Sequence, residues 1–326
     1  MKSYLAIFLA ICLSFSLSAC SEGQNDSLED QEEVDEEMNA KLVSPGQFTD
    51  QFLEGELERL YNQTSEDFQA TVTLEEFVAL GENFNAGVES FDLVSEIPIH
   101  GMTEYQWVSN QGDKGIRSYF ADDLTIEGLQ LMPISDFPES DENYTENTYR
   151  MPITEAWYTF WGGTNELVNY HYSLENQRYA YDLLMMEGDA TFDGDLQDNE
   201  SYFAFGKEVA APLDGLIVSA ENNIADNTPN VDTNEEQLLG NHVIIEHDND
   251  EYSVIGHLKE GSLQVSEGDN VTAGELVGLA GNSGNSSEPH IHFHVADSPD
   301  WENAASIRIK FEDGEEPVRG ETITGF

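Results

Sequence analysis

Cysteine is almost missing from this sequence: its 326 residues include only Cys12 and Cys20. Beyond residue 20 there is no thiol, which excludes disulfides and cysteine-ligated zinc there, so any metal must be held by His, Asp or Glu. Positive charge is nearly as scarce. Only 12 Lys and Arg stand against 65 Asp and Glu, for a net charge of -53. Such a surface repels phosphate backbones and other anionic polymers, which excludes nucleic-acid binding. It is tolerable where salt screens it, because the Debye length shrinks to about 3 Å at 1 M, so a saline or alkaline habitat is expected. No internal repeat of fixed period is present, and the helical His-Glu-x-x-His metal motif is absent.

What is there begins with MKSYLAIFLAICLSFSLSAC. Lys2 precedes an apolar stretch from Tyr4 to Leu17, and small residues lead to Cys20. The stretch is short and runs into a polar tail, so it reads as a secretory signal and not a spanning helix. Its end, Leu17-Ser18-Ala19-Cys20, resembles a bacterial lipoprotein lipobox. That resemblance implies cleavage before Cys20, a lipid on the Cys20 sulfur, and an exported chain anchored to the outer face of the bacterial cell membrane. Residues 21–40 carry nine acidic side chains and no basic one, the composition of a solvated, disordered tether.

The expected organisation is a signal over 1–19, an acidic tether over 20–45, a small α+β domain over 46–140 and a β-rich domain over 149–326. In the first domain, Phe48, Phe52, Leu53, Leu57, Leu60 and Tyr61 fall near helical spacing, and LEEFVAL continues with a second helix. Four alternating segments follow, ESFDLVSEIPI, EYQWVSN, GIRSYFADD and LTIEGLQLMPI, which read as a sheet meander. Helices followed by such a meander are similar at fold level to cone-shaped, nuclear-transport-factor-like domains. His100 falls in a loop. The second domain reads as mainly antiparallel β, with short strands between Gly, Asp and Asn turns and a hairpin whose tip is Asn249-Asp250.

Chemistry concentrates in Glu288-Pro289-His290-Ile291-His292-Phe293-His294-Val295, where three of the eight histidines sit on alternate residues. A strand of period 2 puts His290, His292 and His294 on one face and Ile291, Phe293 and Val295 on the other. Neighbouring histidines are then roughly 6.6 Å apart along the strand, so two of them can converge on one metal ion. A hydrolytic zinc site needs three nitrogen or carboxylate ligands, a proton acceptor and a group that stabilises an oxyanion. His290 and His292 both satisfy the geometry for a ligand.

The segment from Gly240 to Val295, with its Gly256-His257-Leu258 and its His-x-His strand, resembles the core of the lysostaphin/LytM-type zinc endopeptidases, which cut peptide bonds in cell-wall peptidoglycan. The resemblance runs from about Trp161 to Val295. It implies Zn²⁺ as cofactor, a peptidoglycan peptide as substrate, His292 as a ligand, and His257 and His290 as catalytic histidines. The family's upstream His-x3-Asp spacing is not found here. The nearest match, NYHYSLENQRYAYDLL, offers His171 and Asp182 as the remaining ligands with ten residues between them. Such a loop closes at modest entropic cost, and Trp161-Gly162-Gly163 with NQRYAYD resembles a longer-loop branch of the family. His294 is expected at the rim, with a partner behind the ligating histidine as the alternative, His242 and His247 as packing or exposed edge positions, and Asn282 and Asn285 as a wall of the substrate groove. The acidic loop around residues 187–202 does not fit an EF-hand and reads as solvated. The alternative function is an inactive relative that binds wall peptide or activates another hydrolase. A lipoyl-like reading of APLDGLIV and VSEGDNVTAGELVG finds Lys207 and Lys259 poorly placed for modification.

Overall fold

The computed structural model describes residues 42–326. The signal segment, Cys20 and most of the acidic tether lie outside the described residues. Two compact units emerge. One comprises the described residues up to Leu93 together with Gly101–Pro133; the other comprises Val94–His100 and Ile134–Phe326.

The first unit opens with helices Pro45–Glu54, Leu57–Asn62, Glu66–Thr71 and Leu74–Asn85. The apolar spacing from Phe48 to Tyr61 predicts one continuous helix, but the chain breaks at Gly55. Its φ of 86° is the left-handed cap that ends a helix without a Cβ penalty. Helix Leu74–Asn85 starts from a reciprocal capping box between Thr73 and Glu76. Strands β1 (Phe91–Ile99), β2 (Met102–Ser109), β3 (Lys114–Ala121) and β4 (Ile126–Pro133) follow in sheet order β1-β2-β3-β4. The β2–β3 and β3–β4 pairings are antiparallel. Phe48, Phe52, Leu57, Leu60, Trp107, Ile116 and Phe120 form a shared core. His100 sits in the turn between β1 and β2, with φ of 50°.

The second unit carries the remaining strands: β5 (Tyr144–Tyr149), β6 (Ala156–Trp161), β7 (Tyr181–Leu184), β8 (Glu208–Ala210), β9 (Gly215–Glu221), β10 (Asn241–Glu246), β11 (Tyr252–Leu258), β12 (Asn270–Val271), β13 (Leu276–Leu279), β14 (Ile291–Ala296), β15 (Ser306–Phe311) and β16 (Thr322–Thr324). Its main sheet runs β12-β9-β10-β11-β14-β7-β6-β16. β15 pairs with β14 and also, in parallel, with β5. The other described pairings of this sheet are antiparallel, and β8 with β13 makes a separate ribbon. The β10–β11 connection turns at Asn249 and Asp250, whose φ values of 67° and 55° lie in the left-handed region these short polar side chains tolerate.

β14 lies between β11 and β7, and all six of its residues are buried. Its apolar face, Ile291, Phe293 and Val295, joins the main core with Val243, Ile245 and Ile255. The opposite face is covered too. Ala296 continues the histidine face into a smaller cluster with Ile244, Val254 and Leu239. A strand covered on both sides leaves its polar side chains no route to water, so they must find one another.

Candidate metal centre

Two strand pairings assemble the site. β7 runs beside β14 with Asp182 opposite His292, and β11 lies on the other side with Gly256 opposite His292. Asp182 Oδ1 is 2.9 Å from His292 Nδ1, and Asp182 Oδ2 is 3.0 Å from His171 Nε2. One ligand-type atom from each of these three residues lies within 4.8 Å of the other two. All three side chains are buried.

His171 reaches the strands from a 3-10 turn, Tyr170–Ser173. The ten residues between it and Asp182 are closed by Asn169, which is fully buried. Its Oδ1 accepts from His171 N at 3.1 Å, while its Nδ2 donates to Gly163 O at 3.1 Å and to Ala180 O at 3.0 Å. One amide thus ties together the start, the turn and the end of the loop, which brings His171 to Asp182 across an unusual sequence spacing.

His257 and His290 stand beside this trio with ring centroids 4.6 Å apart, and the His257 ring is 5.9 Å from that of His292. His257 Nδ1 lies 2.8 Å from Ser283 O. A carbonyl only accepts, so the proton of the neutral ring is on Nδ1 and the Nε2 lone pair is free. His290 follows the same logic, with Nδ1 2.8 Å from Glu288 O and Ser286 Oγ at 3.1 Å. His290 Nε2 is 3.9 Å from Asp182 Oδ1, further than the ring nitrogens of His171 and His292. His257 also has a φ of 61°, a backbone conformation that L side chains rarely adopt. It is pinned there by bonds from its N–H to Leu239 O and from Gly281 N to its carbonyl. Behind it, Gly240 and Gly284 let two loops touch: a Cβ on Gly240 would lie 2.4 Å from the Ser283 backbone, and one on Gly284 would lie 2.3 Å from Gly240 N. Only glycine permits that approach, which sets the carbonyl that orients His257.

Electrostatics follow burial and proximity. Burial works against the Asp182 carboxylate, but the neighbouring imidazoles, His171 foremost, outweigh it and hold the group well below the usual range. Burial pushes His257 well below the ordinary imidazole value, and His290 and His292 push it further. His292 is also lowered, chiefly by burial. A buried carboxylate that stays ionised beside two imidazole ring nitrogens is a donor set that suits a divalent cation. Two nitrogens and one oxygen, with no sulfur, fit zinc in the three-ligand form that catalytic sites use.

The centre opens onto a cleft of about 160 Å³ lined by Phe160, Trp161, Tyr170, Asn285, Glu288 and His290, among others. Phe160 and Tyr170 carried no sequence signal, because an aromatic residue reads as core until the fold shows which face it presents. Two expectations are corrected. His294 is not at a rim: it is completely buried and its Nδ1 lies 2.9 Å from His292 Nε2, because the smaller apolar cluster covers the histidine face. Asn282 is likewise completely buried, with its backbone N–H bonded to Asp226, so Asn285 but not Asn282 borders the cleft. His242 lies on β10 between two neighbouring strands, not at an edge.

Residues 201–304, about a third of the chain, match the family described as Peptidase family M23. That stretch includes His257, His290, His292 and His294; His171 and Asp182 precede it. No match is found among curated protein sequences. Among solved structures, the chain is similar to a zinc containing peptidase from Vibrio cholerae at 18% identity, over 59% of this chain and 46% of that one, with a TM-score of 0.25. It thus spans less than half of that peptidase. The catalytic domain of the antimicrobial peptidase lysostaphin from Staphylococcus simulans is 20% identical over 47% of this chain and 88% of that one, with a TM-score of 0.27. A chain of the SpoIIQ-SpoIIIAH pore forming complex is 19% identical over 52% of this chain and 96% of that one, with a TM-score of 0.31.

Proposed function

We propose, from the family M23 match over residues 201–304 and the geometry of the centre, that this chain is a zinc metalloendopeptidase that hydrolyses peptide bonds in bacterial cell-wall peptidoglycan. The observation that carries the reading is the convergence of His171 Nε2, Asp182 and His292 Nδ1 from three separate chain segments, with His257 and His290 beside them. His171, Asp182 and His292 hold the metal. When bound, zinc supplies a nucleophile at neutral pH by lowering the pKa of water to about 7, and it polarises a carbonyl oxygen.

The remaining steps belong to the chain. His257 is kept neutral by burial, so near pH 7 it accepts a proton through its free Nε2 and is the base of the pair. His290, partly exposed on the cleft, presents its Nε2 toward the same space; with its Nδ1–H held by the Glu288 carbonyl, it donates from Nε2 to the developing oxyanion in the doubly protonated form. Ser283 and Glu288 carbonyls keep both rings in the orientation these roles require. In this reading the protein works outside the cell, held to the outer face of the membrane by a lipid on Cys20.

The test is metal content by mass spectrometry on the purified full chain and on Asp182→Ala, followed by digestion of purified peptidoglycan. About one zinc per chain, lost in Asp182→Ala together with digestion, is the expected result. A chain that takes no zinc even after loading overturns the enzyme reading and leaves a wall-peptide binder or an activator of another hydrolase.

A further inference from the structure

We infer that His294 is a positioning residue for the metal centre: its Nδ1 accepts the Nε2 proton of His292 and so holds His292 with its Nδ1 lone pair toward Asp182 and His171. The inference rests on the metal reading above. Period-2 geometry places the two rings on one face of β14, with His292 Nε2 and His294 Nδ1 2.9 Å apart and both side chains buried. His292 Nδ1 faces Asp182.

Proton counting then gives the pair two arrangements. A neutral imidazole carries one N–H. If His294 donates from Nδ1 to His292 Nε2, the His292 proton sits on Nδ1 and points at Asp182, where it blocks ligation. If His292 donates from Nε2 instead, its Nδ1 is free as a ligand, and the His294 proton moves to Nε2. That His294 Nε2 is buried without a hydrogen-bond partner. The ligating arrangement therefore leaves an N–H unsatisfied, whereas the other leaves only a bare lone pair. His294 Nδ1 is thus the acceptor that the ligating tautomer of His292 needs, and a metal at His292 Nδ1 would select that arrangement over the other. Partners of this kind fix the ring and tautomer of a ligating histidine, and their loss typically costs 10–100-fold in metal affinity.

The experiment uses the full chain labelled with ¹⁵N at histidine, with two-bond nitrogen–proton correlation spectra recorded before and after one equivalent of zinc. Protons on Nε2 of both His292 and His294 in the loaded protein are expected; a proton on His294 Nδ1 there overturns the inference. In parallel, zinc affinity is measured by competition with a chromophoric chelator. His294→Leu removes the acceptor and is expected to bind about 10–100-fold more weakly. His294→Asn places an amide oxygen near the position of Nδ1 and is expected to keep most of the affinity. Wild-type affinity in His294→Leu overturns the inference and leaves the metal centre standing, whereas a wild-type chain that takes no zinc overturns both. The spectra need no substitution, so they decide the matter even if His294→Leu fails to fold.

Discussion

At the scale of single residues, His257 illustrates how the surroundings assign a role. Its left-handed backbone is held by two hydrogen bonds, and its ring is aimed by one carbonyl that two glycines bring close. Backbone held in a sparsely populated region persists only where its neighbours over-determine it, and such residues gather at functional sites. Asparagine tolerates the same φ, so His257→Asn removes the imidazole without adding strain. The expected result is a fall in kcat of about 10²–10⁴-fold with zinc content and Tm as in the wild type. A rate within a few-fold of wild type would show that the proton goes elsewhere. His290 and His292 make the complementary point. Alternation placed both on one face, but the tertiary partners separate them: His292 Nδ1 meets Asp182, whereas His290 Nδ1 is committed to Glu288 O.

At the scale of elements, β14 and the loop before β7 differ in how far local pattern reaches. β14 was legible because apolar and polar residues alternate at the period of a strand, and its apolar face lies in the core as that pattern requires. Phe293 is completely buried there. Phe293→Ala is therefore expected to destabilise the second unit by about 3–5 kcal/mol, read from the midpoint shift in urea. A loss below about 1 kcal/mol would mean that the strand is not central to that core. The loop from Asn169 to Ala180 was not legible. His171 and Asp182 stood out only as the nearest histidine and aspartate to a resembled motif. The closure that joins them depends on the side-chain hydrogen bonds of Asn169, and nothing local distinguishes that asparagine from others in the chain.

At the scale of the whole molecule, burial in the second unit favours the neutral form of several histidines. Besides the site, His242 and His247 are both lowered from the ordinary value, mainly by burial. His247 is held between Asp214 O and Ser253 Oγ. Their folded pKa values lie below the unfolded 6.5, so the unfolded chain binds more protons in the interval between. Their contribution to stability is complete above about pH 6.5 and is lost as pH falls below it. Most carboxylates remain ionised down to about pH 5, so the relief of acidic repulsion does not mask the effect in that window. Without metal, Tm is expected to fall between pH 7.5 and 5.5, and His247→Gln should fall less steeply. A flat or rising Tm over that interval in the wild type would refute the assignment.

Composition and local pattern by themselves determined the large excess of negative charge, the absence of thiol ligands beyond residue 20, the helices-then-strands order of the first unit, the β character of the second, and the histidine strand. Each depends on short periods or on summed charge, which are properties of the chain read in order. Which histidines face Asp182, how His171 crosses its long loop, and why His294 and Asn282 are buried were decided only when β7, β11 and β14 came together. Those are contacts between residues up to 110 positions apart, and no local propensity encodes them.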